Sequence, residues 1–508
     1  MLECRNLTLT LLLDGRNLIK DFSFTLQRGD KAVIIGEEGN GKSTLLKTIY
    51  NADLTADYCE MSGQIITKAK LAYLPQSLPE SDLSRTLAEY YADVDVFHHL
   101  AEFRQIGIDP ELTSSSRTLG SFSGGERIRL EAAHLLSQDP DILLLDEPTN
   151  DLDLEALEWM EQLISSTELP VLYISHDETL IERTANVILH LELTHRKQNC
   201  KMTVARVPYS EYLARRSRDM EHQDQVAAKQ REDYRNQMER YRKIRDKVDH
   251  QQRTISRQDP SGGRLLKKKM HSVLSMGARF EREKENFTEF TDPEKAILTK
   301  FDPSIRIPAG KTVLETVIPE VTAGGRVLSR NVSLTVRGPA HVGIIGRNGS
   351  GKTTLLRRIR EELAGRRDIH VFYMPQDYQE VLEYDRNPID YLAGHYAKAD
   401  VTRARTFMGN MRFTPDEMLQ PIRSLSGGQK AKILFLEAVL RGSDVLLLDE
   451  PTRNFSPLSA PVIRETLQAF SGTIFSISHD RKYLTEVCDT LYELTPDGLV
   501  SVRPDRFE

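Results

Sequence analysis

Two nine-residue stretches, GEEGNGKST at Gly36–Thr44 and GRNGSGKTT at Gly346–Thr354, constrain this chain more than any other feature, because three further pairs follow them in the same order. FSGGE (Phe122–Glu126) is matched by LSGGQ (Leu425–Gln429), ILLLDEPT (Ile142–Thr149) by VLLLDEPT (Val445–Thr452), and ISHD (Ile174–Asp177) by ISHD (Ile477–Asp480). Ser123 and Ser426, Asp146 and Asp449, and His176 and His479 are each 303 apart, whereas Lys42 and Lys352 are 310 apart. The copies therefore differ mainly by a short insertion after the first glycine-rich loop. A period near 300 is far longer than the roughly 20–50 residues of solenoid repeats, so each copy is a whole domain.

Each copy reads as α/β. KAVII (Lys31–Ile35) and HVGII (His341–Ile345) are short apolar runs that stop at a glycine-bearing loop and lead into a helix-competent segment such as Thr44–Tyr50. Ile142–Leu145, Val445–Leu448, Val171–Ile174 and Thr473–Ile477 are continuous rather than alternating in hydrophobicity. That pattern fits strands covered on both faces of a largely parallel sheet, whose carboxyl ends collect the chemistry.

The G-x-x-x-x-G-K-[ST] spacing points backbone N–H groups of a tight turn and a helix N-terminus at phosphate oxygens, while lysine adds a point charge and the hydroxyl a magnesium ligand. The candidate nucleotide-binding residues are thus Gly36, Glu37, Glu38, Gly39, Asn40, Gly41, Lys42, Ser43 and Thr44, and Gly346, Arg347, Asn348, Gly349, Ser350, Gly351, Lys352, Thr353 and Thr354. Asp146 and Asp449, at strand ends, suit a direct or outer-sphere Mg²⁺ contact beside Ser43 and Thr353. Glu147 and Glu450 are placed to orient and deprotonate an attacking water. Gln76 in LAYLPQ and Gln376 in VFYMPQ are candidates for Mg²⁺ or that water, and His176 and His479 for a γ-phosphate contact.

Composition narrows the setting. No stretch approaches the roughly 18 consecutive apolar residues of a membrane span, so transport would need a separate pore. Cys4, Cys59, Cys200 and Cys488 lie far apart, offering neither a disulfide framework nor a zinc ribbon, and a reducing cytoplasmic setting is expected. The net charge of −7 conceals a basic middle: Tyr209–Phe290 holds 20 Lys and Arg against 14 Asp and Glu. In that segment Leu213, Met220, Ala227, Tyr234, Tyr241, Val248 and Ile255 recur every seven residues, predicting one long helix with a narrow apolar seam. Gln258–Gly263 reads as a turn, and Leu266, Val273, Phe280 and Phe287 repeat at seven in the return. The pair predicts an antiparallel hairpin whose first arm, at 1.5 Å per residue, extends roughly 65–70 Å. Arg264, Lys267, Lys268 and Lys269, with Arg253, Arg257 and Arg279 near them, make its tip a candidate for sequence-independent phosphate contact with nucleic acid.

The combination of phosphate loop, LSGGQ-like signature, LLLDEPT and ISHD resembles the ATP-binding cassette superfamily across both outer thirds of the chain. The resemblance implies two ATPs held head to tail, with Lys42 facing Ser426, Gly427 and Gly428, and Lys352 facing Ser123, Gly124 and Gly125. Tandem cassettes joined by a hairpin that begins in a PYSEYL sequence (Pro208–Leu213) resemble the ABC-F family of ribosome-associated ATPases. The expected architecture is α/β, with P-loop ABC ATPase domains at 1–205 and 291–508 and a coiled-coil linker at 206–290. The family implies a monomer pairing its own cassettes and acting at the ribosomal exit-tRNA site, its hairpin reaching rRNA and tRNA near the peptidyl-transferase region. Some members assist translation and others protect ribosomes from antibiotics; short spacings, 34 residues from Lys42 to Gln76 and 29 after His479, incline toward protection. The alternatives are an ATPase subunit serving a separate permease, and a DNA-handling coiled-coil ATPase.

The copies also depart from each other. Glu38 stands where the second loop has Asn348, which sets an acid beside the phosphates unless it turns to solvent. After DEPT, Asn150-Asp151-Leu152-Asp153 fits the family's interface-crossing turn, whereas Arg453-Asn454-Phe455-Ser456 lacks both acids. The site around Lys42 is therefore expected to hydrolyse more slowly than that around Lys352.

Overall fold

The computed structural model describes residues 1–150, 152–194, 199–254, 260–285, 287–288, 301, 307–393, 398–411 and 413–503. Its compact units are two: Met1–Tyr209 together with Glu294–Glu508, and Ser210–Pro293.

In the first unit the two copies build the same six-stranded sheet. The first runs, in spatial order, Leu71–Leu74, Ile142–Asp146, Val171–Ile174, Lys31–Ile35, Val187–Thr194 and Asn199–Ala205, and the second runs Val371–Met374, Val445–Asp449, Thr473–Ile477, His341–Ile345, Thr490–Thr495 and Gly498–Val502. All neighbours are parallel except the last pair of each. The phosphate-loop strands and the strands ending in Asp146 and Asp449 are buried along their whole length, the reason they carry no polar alternation.

The difference in spacing has a structural cause. Cys59–Thr67 is an extra antiparallel strand that pairs with Leu2–Leu11, which also pairs with Asn17–Leu26; among the described residues the counterpart in the second copy is the two-stranded ribbon Lys311–Ala323 and Arg326–Gly338. The sequence marks the insertion but not its conformation, because CEMSGQIIT alternates weakly and its strand face is mostly exposed.

The seam between the cassettes is charge-segregated. Arg464 donates to both oxygens of Glu178 at 2.8 and 3.2 Å, with the side chains only 3% and 4% exposed, and Lys482 approaches Glu178 at 3.3 Å and Glu182 at 2.8 Å. Arg481 reaches Glu161 at 2.8 Å and Asp177 at 3.7 Å. In each of these pairs the first cassette supplies the acid and the second the cation. Breaking a buried pair of this kind strands an uncompensated charge, which costs far more than the intact pair contributes.

The second unit is made of helix Tyr209–Thr254, 46 residues, less its first residue, and helix Pro260–Glu285, 26 residues. Its seam is the heptad pattern read from both arms: Tyr241, Val248 and Val273 are buried, with Met238, Met270, Met276 and Phe280 packed against them. Gly277 has a steric reason, since a Cβ there would lie 2.7 Å from the Tyr241 hydroxyl. The expected turn at Gln258–Gly263 is corrected. Pro260–Gly263 open the second helix, whose first turn tolerates proline because its N–H would be unpaired anyway. Ile255, Arg257, Gln258 and Asp259 lie outside the described residues. Phe287 falls beyond the helix end but meets Tyr234 edge-on at 5.5 Å.

Candidate active sites

Each phosphate loop begins where a buried strand can go no further as a strand. Gly36 adopts φ 152° with its α-carbon against the chain, and a Cβ there would lie 2.3 Å from the Leu191 carbonyl oxygen. Gly41 and Gly351, at φ 92° and 97°, cap the helices Lys42–Tyr50 and Lys352–Ala364. The lysines fold back on their own loops: Lys42 Nζ donates to the carbonyls of Gly36 and Glu37 at 2.9 and 3.0 Å, and Lys352 Nζ to those of Gly346 and Arg347 at 2.7 and 3.0 Å. Burial lowers the pKa of both amines, opposed chiefly by Glu147 and Glu37 at the first and by Glu450 and Asp153 at the second. A phosphate would add to the counter-charge these carboxylates supply.

The hydroxyls expected beside Mg²⁺ point at the expected carboxylates: Ser43 Oγ donates to Asp146 Oδ1 and Thr353 Oγ1 to Asp449 Oδ2, both at 2.8 Å. Hydroxyl, carboxylate and amide oxygens form a hard donor set that fits Mg²⁺, an ion that completes its shell with phosphate and water rather than a protein cage. Among the described residues no group of three or more His, Cys, Asp or Glu forms such a cage. Tyr73, not anticipated, donates to Asp146 Oδ2 at 3.1 Å; its signal was the tyrosine that LAYLPQ shares with VFYMPQ.

Glu147 and Glu450 both take left-handed backbone, φ 48° and 53°, a conformation that costs a non-glycine residue and that functional sites retain. Their surroundings differ. Glu147 accepts from Gln76 Nε2 at 3.0 Å and Asn150 Nδ2 at 2.7 Å, and His176 Nε2 lies 3.4 Å away. Burial raises its pKa, but His176, Lys42 and Asn150 outweigh burial and leave it at about 2. Glu450 has Arg453 in place of Asn150; it accepts from the His479 backbone at 3.3 Å, and the His479 ring stands 3.7 Å off. Burial, reinforced by the Asp449 charge, pushes Glu450 up to about 8. His176 Nδ1 lies 3.0 Å from the Phe455 carbonyl of the other cassette. The buried His479 Nδ1 has no hydrogen-bond partner among the described residues, and burial with the Lys352 charge brings that ring down to about 3, neutral.

The turns after DEPT cross the seam in both directions. Asn348 N–H donates to Asp153 Oδ2 at 3.3 Å, and the second loop opens onto a cavity of about 600 Å³ lined by Lys352, Thr353, Gln376, Asp449, Glu450 and His479, with Asn150 and Leu152 opposite. The first loop is filled from within. Glu38 does not turn to solvent: its Oε2 accepts from Gly428 N–H at 2.7 Å, at the start of the signature helix Gly427–Leu440. Glu37 Oε1 accepts from Ser459 Oγ at 2.7 Å and Ser456 Oγ at 3.2 Å. Ser426 and Ser123 cap their signature helices in reciprocal capping boxes with Gln429 and Glu126, placing Gly124–Gly125 and Gly427–Gly428 in the first turns, where Gly428 is buried and the other three are half-buried. Ser459 and Lys432, which flank Glu37, were not legible, since neither falls in a repeated motif. On the hairpin, Arg264, Lys267, Lys268 and Lys269 occupy the early turns of the second helix with exposed side chains. Arg253 and Arg279 instead pair with Asp249 and Glu283 on their own helices.

Two largely parallel sheets, each delivering a lysine-bearing phosphate loop and an Asp-Glu strand end beside a histidine, define a P-loop ATPase of two cassettes. The chain belongs to the ATP-binding cassette family, whose ABC transporter model matches residues 19–150 and 329–453, and within it to the F-type tandem-cassette ATPases, which bind and hydrolyse ATP. It is 29% identical to the ribosome protection protein VmlR of Bacillus subtilis over 95% of this chain and 85% of that one. It is 25% identical to ABC transporter F family member 5 of Arabidopsis thaliana, over 94% and 73%, and 26% identical to the probable ATP-binding protein YheS of Escherichia coli, over 94% and 76%. Among solved structures, an archaeal ribosome recycling factor complexed with a ribosomal stalk protein shares the fold at TM-score 0.59 and 15% identity, covering 98% of this chain and 90% of that one. Among the described residues no helix is long and apolar enough to cross a membrane.

Proposed function

We propose that this protein is a cytoplasmic ATPase that acts on the ribosome as a single chain pairing its own cassettes, with domains at 1–205 and 291–508 and the helical linker at 206–290. ATP sits in two composite sites, Lys42 with Ser426–Gly428 and Lys352 with Ser123–Gly125. The loop N–H groups and lysines hold the phosphates, Glu450 accepts the proton of the attacking water, and His479 contacts the terminal phosphate. Ser43, Asp146 and Gln76, and Thr353, Asp449 and Gln376, would hold Mg²⁺, which screens the phosphate charge when bound. Turnover falls mainly at the Lys352 site, where the cavity lies.

The observation that carries the ribosomal reading is the hairpin: a helix of 46 residues, about 69 Å at 1.5 Å per residue, set between complete cassettes and returning through exposed Arg264, Lys267, Lys268 and Lys269. A basic projection of this length suits backbone contact with structured RNA, rRNA or tRNA near the exit and peptidyl-transferase sites. The name and 95% coverage of the Bacillus relative favour ribosome protection over general translation assistance. The test is sedimentation with ribosomes of the Glu147→Gln, Glu450→Gln double variant, which holds the ATP-bound state. ATP-dependent co-pelleting is expected; free protein with and without ATP, nucleotide binding being verified, would overturn the reading.

A further inference from the structure

The first composite site is occupied by the protein's own carboxylates. Gly428 N–H, an unpaired donor at the start of a 14-residue helix, is aimed across the seam and taken by Glu38 at 2.7 Å. A Cβ on Gly427 would lie 3.0 Å from the same oxygen, so Glu38 rests against the signature turn. Glu37 takes the hydroxyls of Ser459 and Ser456, and Lys432 of the same signature helix lies close enough to help hold it ionised against its burial. Both acids also face Lys42. This is the donor set an anion would find between a phosphate loop and an opposing helix N-terminus: backbone N–H, serine hydroxyls and two lysines.

The opposite site shows the reverse arrangement. There the turn supplies the acid, Asp153, and the loop supplies Arg347 and Asn348; here the turn supplies Ser456 and the loop supplies Glu37 and Glu38. The acid lies on the crossing turn there and on the phosphate loop here. Each seam remains paired: at the second, Asp153 reaches from the turn to the Asn348 N–H and also faces Lys352, whereas at the first two carboxylates reach from the loop itself to the opposing signature helix and serines.

We propose that Glu37 and Glu38 are a built-in stand-in for a terminal phosphate: they close the first composite site from within and make the Lys42 loop select a nucleoside diphosphate over the triphosphate. This rests on the two-site reading above and gives the first site a role distinct from turnover. A diphosphate leaves the Glu38–Gly428 contact in place; a triphosphate must displace it and lie beside two carboxylates. Like charge set against like charge is a specificity device, and a tenfold preference corresponds to about 1.4 kcal/mol.

The test uses the full chain with Lys352→Ala, silencing the second loop, and Glu147→Gln, preventing turnover at the first, titrated with ADP and with ATP in magnesium by calorimetry. ADP should bind about tenfold or more tightly than ATP. Adding Glu37→Gln and Glu38→Gln, which keep the shape and remove the charge, should abolish that preference with the melting temperature recorded as a check on folding. Equal affinities in the parent, a preference unchanged by the glutamines, or no binding of either nucleotide would overturn the proposal. Failure of the chain with both loops intact to bind ATP would instead bring down the two-site reading itself.

Discussion

The two phosphate loops stand on the same strand, turn and helix, yet one faces a cavity of about 600 Å³ and the other is plugged by its own glutamates. What differs is a handful of side chains at the seam: Glu37 for Arg347, Glu38 for Asn348, Ser456 for Asp153 and Arg453 for Asn150. None of them alters the backbone that presents Lys42 or Lys352. A duplicated cassette can thus keep its fold intact while the surroundings of its two loops diverge, because the strands that carry the loops are buried and the difference lies in a polar interface.

The frame common to both sites is the place to break the comparison most severely. Arg464→Ala leaves the buried Glu178 with Lys482 as its cation among the described residues and should cost about 3 kcal/mol of stability, the low end for breaking a buried pair. Chemical denaturation measures this directly, and ATP turnover should fall because the cassettes separate. An unchanged unfolding midpoint would show that the seam is not the shared support. A smaller effect should be confined to one site. Asp153→Asn keeps the cap on Ala156 but loses the charge that receives Asn348 N–H, so ATPase activity should drop about fivefold, the worth of roughly 1 kcal/mol. Ser456→Ala, its counterpart across the other seam, should leave the rate nearly unchanged, and equal losses would argue for equivalent sites. The smallest effect on basal turnover belongs to the hairpin. Lys267, Lys268 and Lys269 changed together to Ala should leave ATPase activity intact while weakening ribosome association and flattening its salt dependence by about three phosphate contacts.

What the sequence made legible follows the same division. The strands KAVII, HVGII, ILLLD and VLLLD could be read because burial on both faces leaves an apolar run, and the loops because only glycine tolerates the approach of Gly36 to Leu191. The heptads of the hairpin foretold Tyr241 and Val248 against Val273 and Phe280. Glycines and a proline at 260–263 suggested a turn where the chain already begins a helix, since proline is as suited to a first helical turn as to a reverse turn. Glu38 could be flagged as an acid out of place, but not where it goes: its partner Gly428 lies 390 residues away, and backbone N–H groups carry no sequence signal. Arg464 with Glu178, and Ser459 with Glu37, were invisible for the same reason, being pairs made by tertiary apposition.

The central claim, that turnover belongs to the Lys352 site, is tested most directly by single-turnover ATP hydrolysis in the separate Glu147→Gln and Glu450→Gln variants. Removing the base at the active site should slow the reaction about 10²-fold or more in Glu450→Gln, while Glu147→Gln stays within about threefold of the parent. Comparable rates in the two variants, or the larger loss in Glu147→Gln, would contradict it.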